Sequence, residues 1–74
     1  MEFERWVVGN KDKSRFLGWD ENECRYVSVV SLQDHRIELL TVFDAERIVE
    51  NNQYTQFFIH NDFGYRYKVN LEME

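Results

Sequence analysis

Proline is absent from the sequence, cysteine occurs once and glycine three times among 74 residues. The lone Cys24 excludes an intramolecular disulfide. Its acidic neighbours Glu21 and Glu23 favour a packed strand residue, because a reactive thiol needs an electropositive setting. No run approaches the ~20 apolar residues of a membrane span. The N-terminal residues are acidic without an apolar run, so the sequence predicts no signal peptide and a cytoplasmic location.

Positive charge is also scarce. Nine Lys and Arg residues stand against 14 Asp and Glu residues, which gives a net charge of −5. Nucleic-acid binding draws most of its affinity from Lys and Arg that neutralise phosphates. Anionic membrane surfaces select for the same residues. The composition therefore argues against nucleic-acid and membrane partners and favours a basic or neutral protein.

Aromatic residues, in contrast, are plentiful. The chain has six Phe, four Tyr and two Trp residues, and it is long enough for one domain, residues 1–74. A chain of this length buries only about 60–65% of the surface that it exposes when unfolded. Each aromatic side chain can bury roughly 150–250 Å². An aromatic core therefore suits a small β-rich domain that has no disulfide.

The clearest pattern lies in residues 65–74, where apolar residues alternate without a break with polar and charged ones. This period predicts a strand with one apolar face. Further strands are predicted at residues 3–8, 15–19, 24–32 and 54–60, and residues 24–32 are placed centrally because they are apolar on both faces. Residues 33–36 are interpreted as a turn, and residues 37–43 as a strand because of their alternation and Thr41-Val-Phe, with a helix over residues 31–40 as the alternative.

One helix is predicted over residues 44–51. Asp44 is a suitable N-cap, and Ala45, Ile48 and Val49 share one side. A helix of about eight residues is unstable alone in water, so it must pack on the sheet. The predicted fold class is α+β, a single small domain in which a meandering antiparallel sheet of five to six strands carries one short helix, about residues 44–51.

No catalytic, cofactor or metal motif stands out. His60 and Asp62 are two residues apart and could orient a general base or bind a metal. No third ligand stands at a recognisable spacing, so the pair is interpreted as a strand-end histidine near a turn. The sequence predicts a protein that is not an enzyme.

Five residues are predicted to bind a partner. Asp20, Glu21 and Glu23 form the densest negative patch, which either keeps the turn solvated or attracts a basic protein surface. Phe63 and Tyr65 are predicted to be exposed because Phe63 lies in a turn and one short helix cannot cover both faces of the sheet. The alternative is that sheet curvature covers both faces. A homodimer through an exposed face or edge strand is a further prediction.

The sequence contains the segments Trp6-Val-Val-x-Asn10-Lys11, Phe16-Leu-Gly-Trp-Asp20 and Phe43-Asp-Ala45-x-x-Ile48, followed by the alternating acidic strand. In spacing and style it resembles the small accessory proteins of phages and prophages of Gram-positive bacteria. The resemblance implies a non-enzymatic protein that binds a host protein in the bacterial cytoplasm, for example to inhibit a CRISPR nuclease or other defence machinery. It assigns a role to no individual residue.

A second hypothesis is a small-ligand or nucleotide-sequestering oligomer. Lys11, Lys13 and Arg15 would contact phosphates, and aromatic residues would contact the bases.

Overall fold

The computed structural model describes residues 5–70. Their elements are β1 (Arg5–Gly9), β2 (Phe16–Asp20), β3 (Arg25–Val29), α1 (Val42–Asn52), α2 (Gln56–Asn61) and β4 (Tyr65–Val69). The strands form an antiparallel sheet in the order β3-β2-β1-β4. The α+β class is therefore confirmed. Within the described residues the sheet has four strands rather than five or six, and it carries two helices rather than one.

Strand residues alternate between two apolar clusters, as the period of a strand requires. The cluster on the helix face combines sheet and helix residues: Val8, Leu17, Leu40, Ala45, Phe58 and Phe63. The cluster on the opposite face has a buried centre and a half-buried margin: Val7, Phe16 and Val29, surrounded by Val27, Ile37, Tyr67 and Val69. Both faces of this small sheet therefore contribute to the core.

β4 confirms the alternation predicted for the end of the chain. Tyr67 and Val69 pack on the helix-free face, whereas Arg66 points to the helix face and forms an ion pair with Glu46 of α1. One face of the strand is apolar and the other is charged, as the period indicates. Residues 71–74 of this predicted strand, like residues 3 and 4 of the first, lie outside the described residues.

β1 and β2 are joined at Gly9 and Phe16, where their hairpin closes. Further from the hairpin loop, residues 36–40 are inserted between β1 and β2 and form backbone hydrogen bonds to both strands. Trp6 of β1 exchanges two backbone hydrogen bonds with Leu40, at 2.7 and 2.8 Å. This inserted segment therefore supplies backbone partners to β1 where β2 does not.

β2 binds the other half of the inserted segment. The N–H of Trp19 donates to the carbonyl of Arg36 at 2.7 Å, and the N–H of Glu38 donates to the carbonyl of Leu17 at 3.2 Å. Backbone groups of successive strand residues point to opposite edges of the strand. Because Leu17 and Trp19 point toward the inserted segment, the intervening Gly18 directs its N–H and C=O toward β3.

Residues 33–36 form turns, as predicted, but the strand predicted over residues 37–43 is wrong as a regular strand, and so is the alternative helix over residues 31–40. Ile37 and Leu40 form isolated bridges to β2 and β1, and the following residues open α1. A segment that bonds to two strands running in opposite directions must bend, and the bend breaks the period of a strand.

The predicted helix is confirmed as α1, which starts two residues earlier and ends one residue later than predicted. Thr41, not Asp44, is the N-cap, because its hydroxyl accepts from the N–H of Asp44 at 3.1 Å. Ala45 is fully buried, and Ile48 and Val49 pack on the helix-face cluster. The side of the helix that packs is therefore the one its sequence indicates.

The strand predicted at residues 54–60 is wrong, since this part of the chain forms α2. The hydroxyl of Thr55 caps the helix by accepting from the N–H of Phe58 at 3.4 Å. Asp62 ends the helix in the left-handed conformation, with φ of 57°. In a strand Phe57 and Phe58 would point to opposite faces. In this helix both contact the same cluster.

Candidate functional site

The three acidic candidates lie in or beside the β2–β3 turn. The carboxylate of Asp20 accepts from two N–H groups of the turn, at 2.9 and 3.1 Å, and lies 3.9 Å from the guanidinium of Arg36. Glu23 forms an ion pair with Arg25 at 2.6 Å. Asp20 therefore holds the turn, and Glu23 is partly neutralised. Glu21 is exposed and forms no side-chain ion pair within the described residues.

The predicted exposure of Phe63 is wrong, because the side chain is only 1% exposed. The left-handed Asp62 reverses the chain so that the N–H of Phe63 donates to the carbonyl of Phe58 at 3.0 Å. Such a helix end is commonly closed by an apolar contact with the last turn. Here the ring of Phe63 lies 5.7 Å from that of Phe57 and 5.8 Å from that of Phe58, edge to face.

Tyr65 is 41% exposed, but it lies far from the acidic turn. On β4, Tyr65 stands opposite Gly9 of β1, at the end of the sheet where the β1–β2 hairpin closes. Asp20 stands opposite Arg25 at the other end of the sheet and on the other side of it. The predicted acidic and aromatic residues therefore do not form one surface.

β3 is an edge strand, which corrects its predicted central position. Gly18 directs its backbone groups to β3 and pairs with Val27. The backbone groups of Tyr26 and Ser28 therefore point away from the sheet. No backbone hydrogen bond joins them to another segment within residues 5–70.

A groove of about 530 Å³ runs beside this free edge. One wall is residues 25–28 of β3, with Arg25 as the charged residue, and the other is the corner between α1 and α2, which contributes Asn52 and Thr55. Phe57 and Phe58 line it, and the ring of Phe58 lies 6.2 Å from that of Tyr26, edge to face. The groove is thus largely apolar and follows a strand edge that has no backbone partner within residues 5–70.

The sequence contains the residues of this groove but does not indicate that they meet. The sequence pattern places Tyr26 in one strand and the two phenylalanines Phe57 and Phe58 in another, where they would point to opposite faces. The signal that could have corrected this is Thr55 three residues before Phe58, the spacing of a helix N-cap.

A second, polar hollow of about 360 Å³ lies behind the acidic turn, where Trp19 and Glu21 face residues 35–38. Burial raises the pKa of the Glu38 carboxyl. Asp34, just before this segment, accepts from the Nε and an Nη of Arg36, both at 3.1 Å. These charge-assisted bonds lower the pKa of Asp34 from 3.8 to about 2.

The Asp34–Arg36 pair predicts a pH-dependent contribution to stability. A carboxyl whose folded pKa lies below its unfolded pKa stabilises the fold above the unfolded value, and that contribution is lost as the pH falls through the folded value. We expect Asp34→Asn to be less stable than the wild type by a constant margin above about pH 5, and the margin to shrink from about pH 4 to pH 2. Urea unfolding of both proteins across this range measures it, and a margin that does not change with pH would contradict the assignment.

The remaining chemistry-bearing side chains are exposed. Cys24 lies in the β2–β3 turn with φ of 51°, not packed in a strand as predicted. Lys11, Lys13 and Arg15 share the β1–β2 loop, where the Nζ of Lys13 lies 4.9 Å from the centre of the Tyr67 ring. In residues 5–70, no three His, Cys, Asp or Glu residues are grouped to hold a metal ion. No helix of this part of the chain is long and apolar enough to cross a membrane.

Neither a protein-family model, nor a curated protein, nor a solved structure matches this chain. Only the geometry of the groove and its surroundings therefore indicates a function for this chain.

Proposed function

We propose that this protein is a non-enzymatic binding protein that docks on a host protein through the β3 edge, its groove and the adjacent acidic turn. The observation that supports it best is the unpaired apolar edge of β3. Sheet edges are usually protected by charged side chains, especially Lys, or by a covering element. The other edge strand, β4, carries Arg66 and Lys68, whereas β3 carries one charge, Arg25 at its first position, and none in residues 26–29.

The electrostatic surroundings of the groove favour a basic partner. Glu21 is exposed at one end of β3, and the chain as a whole carries a net charge of −5. Complementary charge mainly raises the rate of encounter and orients the partner, while the desolvated apolar centre supplies most of the affinity. The resemblance to phage accessory proteins suggests a host protein of a Gram-positive bacterium as that partner.

The second candidate is a small-ligand or nucleotide-sequestering protein. The observation in its favour is the exposed β1–β2 loop, which gathers Lys11, Lys13 and Arg15 beside Tyr67. A rise in melting temperature with nucleotides, abolished by Lys11→Ala together with Arg15→Ala, would support this role, because a ligand that binds the folded state stabilises it by mass action.

The docking proposal predicts opposite results for two lysine substitutions. Ser28→Lys replaces a side chain whose hydroxyl is buried and adds a flexible cation that must extend into the groove of β3. Tyr65→Lys adds the same side chain on the far edge strand, at a half-exposed position. We expect the tagged wild type and Tyr65→Lys to retain the same protein from a lysate of Gram-positive bacteria, and Ser28→Lys to lose it. Circular dichroism of each variant checks that it is folded.

Two results would overturn the docking proposal. One is that the wild type retains no protein above the background of the tag alone. The other is that Ser28→Lys retains the protein as well as the wild type does, which would place the contact elsewhere on the molecule.

A further inference from the structure

We infer that the occupant of the β3 groove is an extended peptide segment of the partner, which adds to the sheet as a further strand. The inference rests on the proposed docking function and specifies how the groove is used. Tyr26 and Ser28 each present an N–H and a C=O outward, and alternate residues of a strand are about 6.6–6.8 Å apart along its axis. A second strand matches that spacing, because its own alternate residues present the complementary groups.

The two faces of the sheet then specify the peptide side chains. Residues directly opposite each other in a sheet share a face. Tyr26 lies on the helix face, where its ring contacts Phe58, and Ser28 lies on the same face two residues on. Peptide residues opposite these two therefore enter the groove, and its volume of about 530 Å³ can take a large apolar or aromatic side chain.

The peptide residue that lies between these two positions points to the opposite side of the sheet. There it lies beside Val27, which is half-buried and packs against the cluster that contains the buried Val29. An apolar side chain at this position would extend the helix-free cluster by one residue. The peptide should therefore be apolar at three consecutive positions, with its largest side chain facing the groove.

Charge sets the expected flank of the peptide. At the end of β3 next to the acidic turn, Arg25 lines the groove and is paired with Glu23 at 2.6 Å, and beyond it the turn presents the exposed Glu21, so a Lys or Arg is expected beyond Arg25, opposite Glu21. A second copy of this chain fits the groove less well than an extended segment. Each copy carries a charge of −5, so two copies repel each other. Pairing two β3 edges about a two-fold axis would also bring both α1–α2 corners to the same face of the combined sheet.

Ser28→Pro tests the backbone contact directly. The N–H of Ser28 points away from β2, so proline removes an outward donor and leaves the β2–β3 hydrogen bonds in place. Ser28→Ala is the matched control, because the buried Ser28 hydroxyl has no hydrogen-bond partner within the described residues. The probe is a displayed library of linear peptides of about ten residues, of which about three contact the strand.

We expect the selected peptides to carry the apolar triplet with a basic flank. They should bind the wild type and Ser28→Ala equally, and Ser28→Pro about tenfold more weakly or worse, since about 1.4 kcal/mol is a factor of ten. Amide hydrogen exchange of the wild type gives a second readout that needs no proline variant. The N–H groups of Tyr26 and Ser28 should become protected when peptide binds, whereas the N–H of Val27, already bonded to β2, should change little.

Three outcomes would overturn the addition of a partner's peptide strand to β3. The first is that the selected peptides bind Ser28→Pro as tightly as Ser28→Ala. The second is that amide hydrogen exchange of Tyr26 and Ser28 does not change in the peptide complex. A doubled mass of the protein alone, lost in Ser28→Pro, would show that a second copy occupies the edge. If Ser28→Lys still fails to retain the lysate protein, the docking proposal stands even when one of these outcomes is found. Failure of the inference about the peptide strand can therefore be distinguished from failure of the docking proposal.

Discussion

Phe63→Ala is expected to lower the free energy of unfolding by about 3–5 kcal/mol, the range for truncating a buried aromatic ring. The ring is 1% exposed and packs edge to face on Phe57 and Phe58. Its removal leaves a cavity where both helices meet the sheet. Small domains are stable by only about 5–15 kcal/mol, so this variant should be close to unfolding at 25 °C. Urea unfolding followed by tryptophan fluorescence measures the loss.

The control for this prediction is Tyr54→Ala. The side chain of Tyr54 is 84% exposed, and substitutions on the surface usually change stability by less than about 0.5 kcal/mol. Phe63→Leu should lie between the two, because it keeps part of the buried volume. If Phe63→Ala proved as stable as Tyr54→Ala, the ring would lie outside the core, and Phe63 would again be a candidate for partner binding.

The contrast between Phe63 and β4 shows which features local sequence can predict. The alternation in β4 extends over a whole strand, and one face must pack for the strand to be stable, so the period alone identifies it. The position of Phe63 depends on a single residue, Asp62, in the left-handed conformation at the end of α2. Without that helix in the prediction, nothing in the sequence indicates that the chain folds back and buries the ring.

The helix α2 was missed for a related reason. It has six residues, fewer than two turns, so the helical period has too little length to be recognised. Phe57 and Phe58 are adjacent, and an adjacent apolar pair is compatible with a strand buried on both faces. The evidence that decides between these structures is tertiary: both rings contact a core that includes the distant Val8 and Leu17.

The edge position of β3 was also beyond local prediction. The apolar pattern of residues 24–32 favours a central strand, and nothing near those residues determines which strands flank them. What determines the order is the long-range pairing of β1 with β4, together with the inserted residues 36–40. Of the surface proposed for docking, the sequence therefore predicts only the acidic turn, and the groove is formed by the tertiary arrangement.

Gly18→Ala is expected to destabilise the protein by about 2–3 kcal/mol, near the upper end for an over-packed core. A Cβ at Gly18 would lie 2.8 Å from the carbonyl oxygen of Arg36 and 3.1 Å from a methyl group of Val29. The carbonyl of Arg36 cannot retreat freely, because it already accepts from the N–H of Trp19 at 2.7 Å. The substitution should therefore push the inserted segment off β2.

Gly64→Ala is the matched control for Gly18→Ala, because a Cβ at Gly64 would meet no atom within 4 Å and its φ is not positive. We expect Gly64→Ala to change stability by less than about 0.5 kcal/mol. Amide exchange should show the N–H groups of Trp19 and Glu38 losing protection in Gly18→Ala and keeping it in Gly64→Ala. Because the pairing of Gly18 with Val27 also sets which backbone groups of β3 point outward, equal stability of the two variants would contradict both the inserted segment and the free edge derived from it.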